Sequence, residues 1–413
     1  MTGSAVQRKG SVAVDFMTDC DRQPRRPLDV WAADIRRGLQ SLRGDQDWNH
    51  ARVTSASAFM NLAALVVASS GDLPAAERLC RTQLTWLAQL ASRSGEVSVL
   101  ANALQPWINL GRLRVLAGDA EEALPYFRLA ECLRDQEPVM LGPCHIEAGM
   151  WPVLVAAEPD LPDVLWNVFA LDRLKAHLRS GDLARTLSVA AALRNVAPSA
   201  AHRYIAEAEI IALIRSGRAE DALQKATQAV HVTASDEIAF LLHQIAAAIV
   251  LGRREHARRR AVGLTVFFTQ PGLRRAEPAN HLRRLKQLAL LLEELEEPHY
   301  ALAVYTQGMK ECRRQVDEPL QLDFIDGALR VVPDHHSASQ WRGTLKNLLA
   351  RSLYAEVRRK TGAAAALGHP AIRDLIHAVE AAAAAGGRPR HAPGDDDPPV
   401  PSGGTGKPGA DRR

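Results

Sequence analysis

Aromatic residues are scarce, at 5% of the 413 residues. Cysteine is scarce too: Cys20, Cys80, Cys132, Cys144 and Cys312 are odd in number, scattered, and form no CxxC pair. That argues against a disulfide scaffold and against a paired-cysteine zinc site. The simplest expectation is a reduced, cytoplasmic setting. Alternating runs of β-branched residues are missing, so few strands are expected. Arg8 and Lys9 are followed by no continuous apolar region. No stretch reads as the roughly 18 apolar residues that a membrane span needs. No GxSxG, HExxH or Rossmann fingerprint stands in a usable context. The chain is therefore read as non-enzymatic, with no catalytic residue, cofactor or metal expected. A net charge of +4 is small for this length, which disfavours nucleic acid as a partner.

What is present favours helix. Ala, Leu and Arg abound, and 47% of residues are hydrophobic, enough for a large core. Residues 1–27 contain Gly3, Gly10, Pro24 and Pro27 without a sustained period, and are expected to be disordered. From Leu28 the residues Val30, Trp31, Ile35, Leu39 and Leu42 recur at helical spacing. Residues 28–50 are accordingly expected to form a capping helix.

The most informative stretch is Trp107, Leu110, Gly111, Arg114, Gly118, Ala123, Phe127 and Ala130. Gly111 and Ala123 are small enough to let two antiparallel helices approach closely. Trp107, Leu110 and Phe127 would fill the space around that contact. Gly118 permits a left-handed turn, and Asp119 is placed to cap the second helix. This spacing resembles the tetratricopeptide repeat, with Arg114 where a Tyr is usual and the closing proline late, at Pro138.

The turn recurs. Gly71, Gly181, Gly217 and Gly252 each precede a small residue five positions on, at Ala76, Thr186, Ala222 and Ala257. Glu296 stands in for the glycine ahead of Ala301. Gly181, Gly217 and Gly252 are spaced by about 35 residues, near the family period. The other intervals are longer and need extra material. Residues 138–162, with five prolines, read as an irregular insertion holding one short helix near His145–Ala157, and Phe267–Pro278 as a second loop. The expected fold is an all-α, tetratricopeptide-like α-solenoid of degenerate hairpins over residues 51–310, with helical end caps. Residues 311–385 would form the C-terminal helices, at about Leu320–Val332, Ser337–Lys360 and Ala371–Ala385. Residues 386–413 are rich in Gly, Pro and Asp and are expected to be a disordered tail.

The resemblance implies a concave surface, built from the first helix of each hairpin, that binds a protein or peptide segment. Its partner-binding candidates are Gln105, Ile108, Asn109, Arg112, Lys175 and Tyr204, with Val115, Leu171, Leu178, Glu207, Ile211, Leu242 and Ala246 on the same face. Too few Lys, Asn and Arg occupy these places for a carboxylate clamp. A mixed groove for an amphipathic helix or extended peptide fits better. A second candidate surface is basic: Arg253, Arg254, Arg258, Arg259 and Arg260, beside His256 and followed by Arg274, Arg275, Arg283 and Arg284. It would suit an anionic partner, although no recognition helix or stacking motif accompanies it. The pairs His335–His336 and Cys144–His145 lack zinc-site spacing. Gly403, Gly404, Gly406 and Lys407 lack the rest of a phosphate loop.

The expected function is that of a non-catalytic adaptor or regulatory protein. The alternatives are a ligand- or peptide-sensing regulator of transcription or specialised metabolism, and an accessory enzyme on a helical scaffold.

Overall fold

A computed structural model describes Val12, Val14 and residues 25–42, 48–135, 137–229, 234–269, 278–315, 317–360 and 368–387. The tail after residue 387, the loop centred on 270–277 and most of residues 1–24 lie outside the described residues. So do Arg274 and Arg275 of the basic candidate surface, and the glycines around Lys407.

The chain is mostly helical. Helix α1 spans Leu28–Ser41, α2 His50–Ser69 and α3 Leu73–Ser94. A 3-10 segment, Val97–Ala103, leads into α4 (Leu104–Ala117) and α5 (Ala120–Arg134). Strands β1 (Val139–Leu141) and β2 (Cys144–Ile146) then pair antiparallel, and α6 (Trp151–Ala157) follows. Next come α7 (Leu161–Ser180), α8 (Leu183–Arg194), α9 (His202–Arg215), α10 (Ala219–Gln228), α11 (Ala234–Val250) and α12 (Arg254–Thr269). The chain continues through α13 (Pro278–Glu294), α14 (Pro298–Gln315) and α15 (Glu318–Val331). The last helices are α16 (Ala338–Arg351), α17 (Ala355–Lys360) and α18 (Pro370–Gly387).

The hairpin turns form where the glycines stand. Gly71, Gly118, Gly181, Gly217 and Gly252 all have positive φ, and so does Glu296, alone among the described non-glycine residues. At five of these turns the next residue's N–H donates to the carbonyl five positions back, as Asp119 does to Arg114 and Glu297 to Leu292. This closes the exposed helix end in a Schellman arrangement. Asp72 and Asp182 then cap the following helices, accepting from the N–H of Ala75 and Arg185. The residues five positions past each turn, Ala76, Ala123, Thr186, Ala222, Ala257 and Ala301, are all fully buried.

Close approach of helices uses glycine against an aromatic ring. A Cβ on Gly111 would lie 2.8 Å from the Phe127 ring. The same device joins α14 and α15 twice. There a Cβ would meet Phe324 at 2.3 Å from Gly308, and Tyr305 at 2.3 Å from Gly327. Trp107 also packs on Tyr126, with ring centroids 4.8 Å apart.

Helices pack with their sequence neighbours, and the first helix of each pair also touches the first helix of the next, from α2 through α4, α7, α9, α11 and α13. Two apolar cores result. One runs from α7 to α15; the other joins α1–α5 to α16–α18. The end helices were expected to cap opposite ends of the row. Instead α18 packs against α1, α2 and α3. Arg25 N–H donates to Asp317, Tyr354 hydroxyl donates to the Arg26 carbonyl, and Arg36 pairs with Asp374 at 2.9 Å.

Three further expectations are corrected by packing. The helix expected over Ser337–Lys360 breaks at Ser352, whose hydroxyl donates to Glu318 at 2.8 Å. The insertion holds a β-hairpin as well as its helix; Val139, Leu141, Cys144 and Ile146 turn inward beside α3 and α5. Helix α2 is, among the described residues, the only one long and apolar enough to cross a membrane, a property the sequence was not expected to hold. Half of its most apolar window is buried inside the protein.

Helix propensity favours Ala over Gly by about 1 kcal/mol, whereas overpacking costs about 1–3 kcal/mol. Gly327→Ala should therefore lower the urea midpoint. Gly343→Ala, in α16 with open space around the added Cβ, should raise it. Equal shifts in the two variants would show that the ring contact does not limit the approach.

Candidate functional site

The first helices of the pairs carry polar residues into the contacts between them. On α4, Asn109 is buried; its amide donates to Asn61 on α2, and its carbonyl accepts from Gln105 and Arg112. Arg112 Nε also donates to Asp172 on α7 at 2.8 Å. A polar chain thus crosses from α2 through α4 to α7. Further along, His243 Nε2 on α11 lies 2.8 Å from Glu207 Oε1 on α9, and both side chains have no exposed surface. Arg203 reaches the Tyr204 hydroxyl at 2.7 Å and stands 3.8 Å from Asp236 on α11. Buried polar groups keep their place only when partnered, because desolvation otherwise costs more than the contact returns.

This geometry sorts the expected partner-binding residues. Ile108, Asn109 and Tyr204 are buried within the chain, together with Leu171, Leu178, Glu207, Ile211, Leu242 and Ala246. They present no surface to a partner. Contacts of first helix with first helix cover the face that the resemblance had assigned to a groove. Gln105, Arg112 and Lys175 remain half-buried and reach the surface in part. Asp172 and His243 had not been singled out. Their signal was a polar residue on an otherwise apolar helical face, a pattern that does not say what the partner is.

The basic cluster is drawn into ties between neighbouring pairs. Arg253 reaches Glu220 at 2.8 Å, Arg254 the Glu294 carbonyl at 2.7 Å, Arg258 Glu297, and Arg260 Gln244. Arg259 is exposed and makes no ion pair among the described residues. Arg284, counted with this cluster in the sequence, is fully buried in α13.

One stretch expected to be disordered is partly packed. Val12 and Val14 are buried in the core that runs from α7 to α15. The Val14 carbonyl accepts from Arg215 Nη2 at 3.0 Å, and Arg215 Nη1 donates to the Leu178 carbonyl. Val12 and Val14, neither of them in a helix, thus sit beside the C-terminal ends of α7 and α9.

No group of three or more metal-ligating side chains occurs among the described residues. His335 instead stacks on Trp341, with centroids 4.9 Å apart. Burial, and then the nearby Glu77 carboxylate, push the Cys80 thiol up to about 12; burial does the same for Cys144. Both thiols are inert at neutral pH. No protein-family model matches the chain, and no curated protein matches it either.

Arg112 is about one-third exposed and Asp172 nearly buried, so solvent weakens their attraction and Arg112→Met should cost about 1–2 kcal/mol. Adding Asp172→Leu should recover part of that loss in a double-mutant cycle of urea unfolding. Additive losses would show that the pair is not coupled. His177 on α7 is buried near Arg173 and Arg185, and burial first, then these cations, hold its pKa below the ordinary 6.5. The unfolded chain therefore takes up a proton that the folded chain resists. Stability should be present above that pH and fall as the pH drops through the window beneath it. His177→Gln should flatten this slope in pH-dependent denaturation.

Proposed function

We propose that this protein is a non-catalytic adaptor or regulator, a tetratricopeptide-like α-solenoid that binds a protein or peptide segment. The seating of Val12 and Val14 carries the reading. A short stretch from outside the helices is held by burial of Val12 and Val14 and by one arginine on the Val14 carbonyl. That combination is what a peptide-binding surface offers: backbone capture for affinity, and pockets for alternate side chains for selectivity. The recurring Gly turns and the row of first helices support a repeat array. Such arrays present long surfaces to extended partners.

The partner on this reading is an extended segment with small apolar residues two apart. Gln105, Arg112 and Lys175, which reach the surface in part, supply polar contacts further along the row. The buried candidates Ile108, Asn109 and Tyr204 act through the shape of the array. No cofactor enters this reading.

A tethered segment competes at an effective concentration in the millimolar range. A labelled peptide of residues 8–18 should therefore bind weakly to the wild-type chain. It should bind at least about tenfold more tightly to the full chain carrying Val12→Asp and Val14→Asp, read by fluorescence anisotropy. Failure of the peptide to bind either chain would remove the basis of the proposal.

A further inference from the structure

The two ends of the chain meet over a cleft of about 470 Å³. That volume falls within the roughly 300–1,000 Å³ of small-molecule sites. One wall comes from the N-terminal third: Trp31 on α1, Leu62 and Leu65 on α2, and Leu116 at the end of α4. Leu116 is 56% exposed, the most exposed of the large apolar residues in the described chain. A lone exposed leucine means little, but this one continues an apolar wall. The facing side is the Tyr354 ring and the start of α17. Tyr354 is buried, with its hydroxyl on the Arg26 carbonyl, and forms the closed floor of this side rather than a polar contact for a ligand.

The charges at the rim do not balance. Arg25 and Arg359 line the cleft with a single acid, Glu356. Arg25 is committed: it pairs with Glu356 at 2.5 Å, and its guanidinium lies over the Tyr354 ring. Arg359 is exposed and makes no ion pair among the described residues. Among the described residues, one guanidinium without an ion pair therefore stands at the edge of an apolar cleft. Its charge suits a monoanion, and its planar donors suit a carboxylate.

We infer that this cleft binds an aliphatic carboxylate, its chain against Trp31, Leu62, Leu65 and Leu116 and its head group on Arg359. The site is distinct from the seat of Val12 and Val14. Its walls belong to opposite ends of the sequence, so an occupant bridges them and stabilises the closed arrangement by mass action. This is a ligand-sensing element independent of the peptide-binding reading.

The test is isothermal titration calorimetry of the full chain with dodecanoate below its micellar concentration, alongside 1-dodecanol and dodecyltrimethylammonium. Arg359→Ala and Leu116→Asp alter exposed positions, and circular dichroism checks that both variants fold. One saturable dodecanoate site is expected, weakened at least about tenfold by Arg359→Ala and lost in Leu116→Asp. The alcohol and the ammonium compound should bind more weakly than the acid. Absence of saturable dodecanoate binding to the wild-type chain overturns the inference. So does wild-type affinity in either variant, or equal binding of the alcohol or the ammonium compound.

Discussion

Helices packed in consecutive pairs leave apolar faces that other helices must cover. In this protein helices far apart in the sequence cover them. Helix α18 lies on α1, α2 and α3, while the segment before α1 is held by the first residue ahead of α15 and by Tyr354. The remaining architecture depends on that closure. It explains why one apolar core joins the first third of the sequence to the last helices, and why α7 and α15 contribute to both cores. It also explains the break at Ser352. A continuous helix there could not have directed Ser352 to Glu318 and Tyr354 to Arg26 together.

Closure has an electrostatic cost that remains visible. Glu318 is buried where the ends meet, and burial raises its pKa even though the Ser352 hydroxyl and Arg351 act the other way. Similar choices recur along the first helices, where Asn109, Asp172, Glu207 and His243 lie inside rather than on a groove. An apolar interface would be at least as stable. A polar one restricts the register, because a shift would separate Arg112 from Asp172 and His243 from Glu207. The inner face is thus built for its own geometry.

The local devices were legible in the sequence. Glycine at a helix end, aspartate after it and a small residue five positions on are short-range features, and the six turns and six buried small residues follow from them. The contact of Gly111 with Phe127 was legible for the same reason. The equivalent contacts of Gly308 with Phe324 and Gly327 with Tyr305 lay where the repeat spacing had faded, so no motif marked them. The candidate site was legible only in part. Asn109 and Arg112 were marked as important residues, but their partners Asn61 and Asp172 lie on other helices. The basic run around Arg258 read as a patch because Glu220 and Glu297, which pair with Arg253 and Arg258, are distant in sequence.

Most of the helices and the glycine turns between them were set by short-range sequence, because each rests on residues close together in the chain. Tertiary structure alone decided which polar residues are inside, where the two ends of the chain meet, and that Val12 and Val14 are buried. Those outcomes depend on desolvation and on partners hundreds of residues away, as with Arg25 and Asp317. A local pattern records that a side chain is polar or apolar, and only the packed chain determines what it faces.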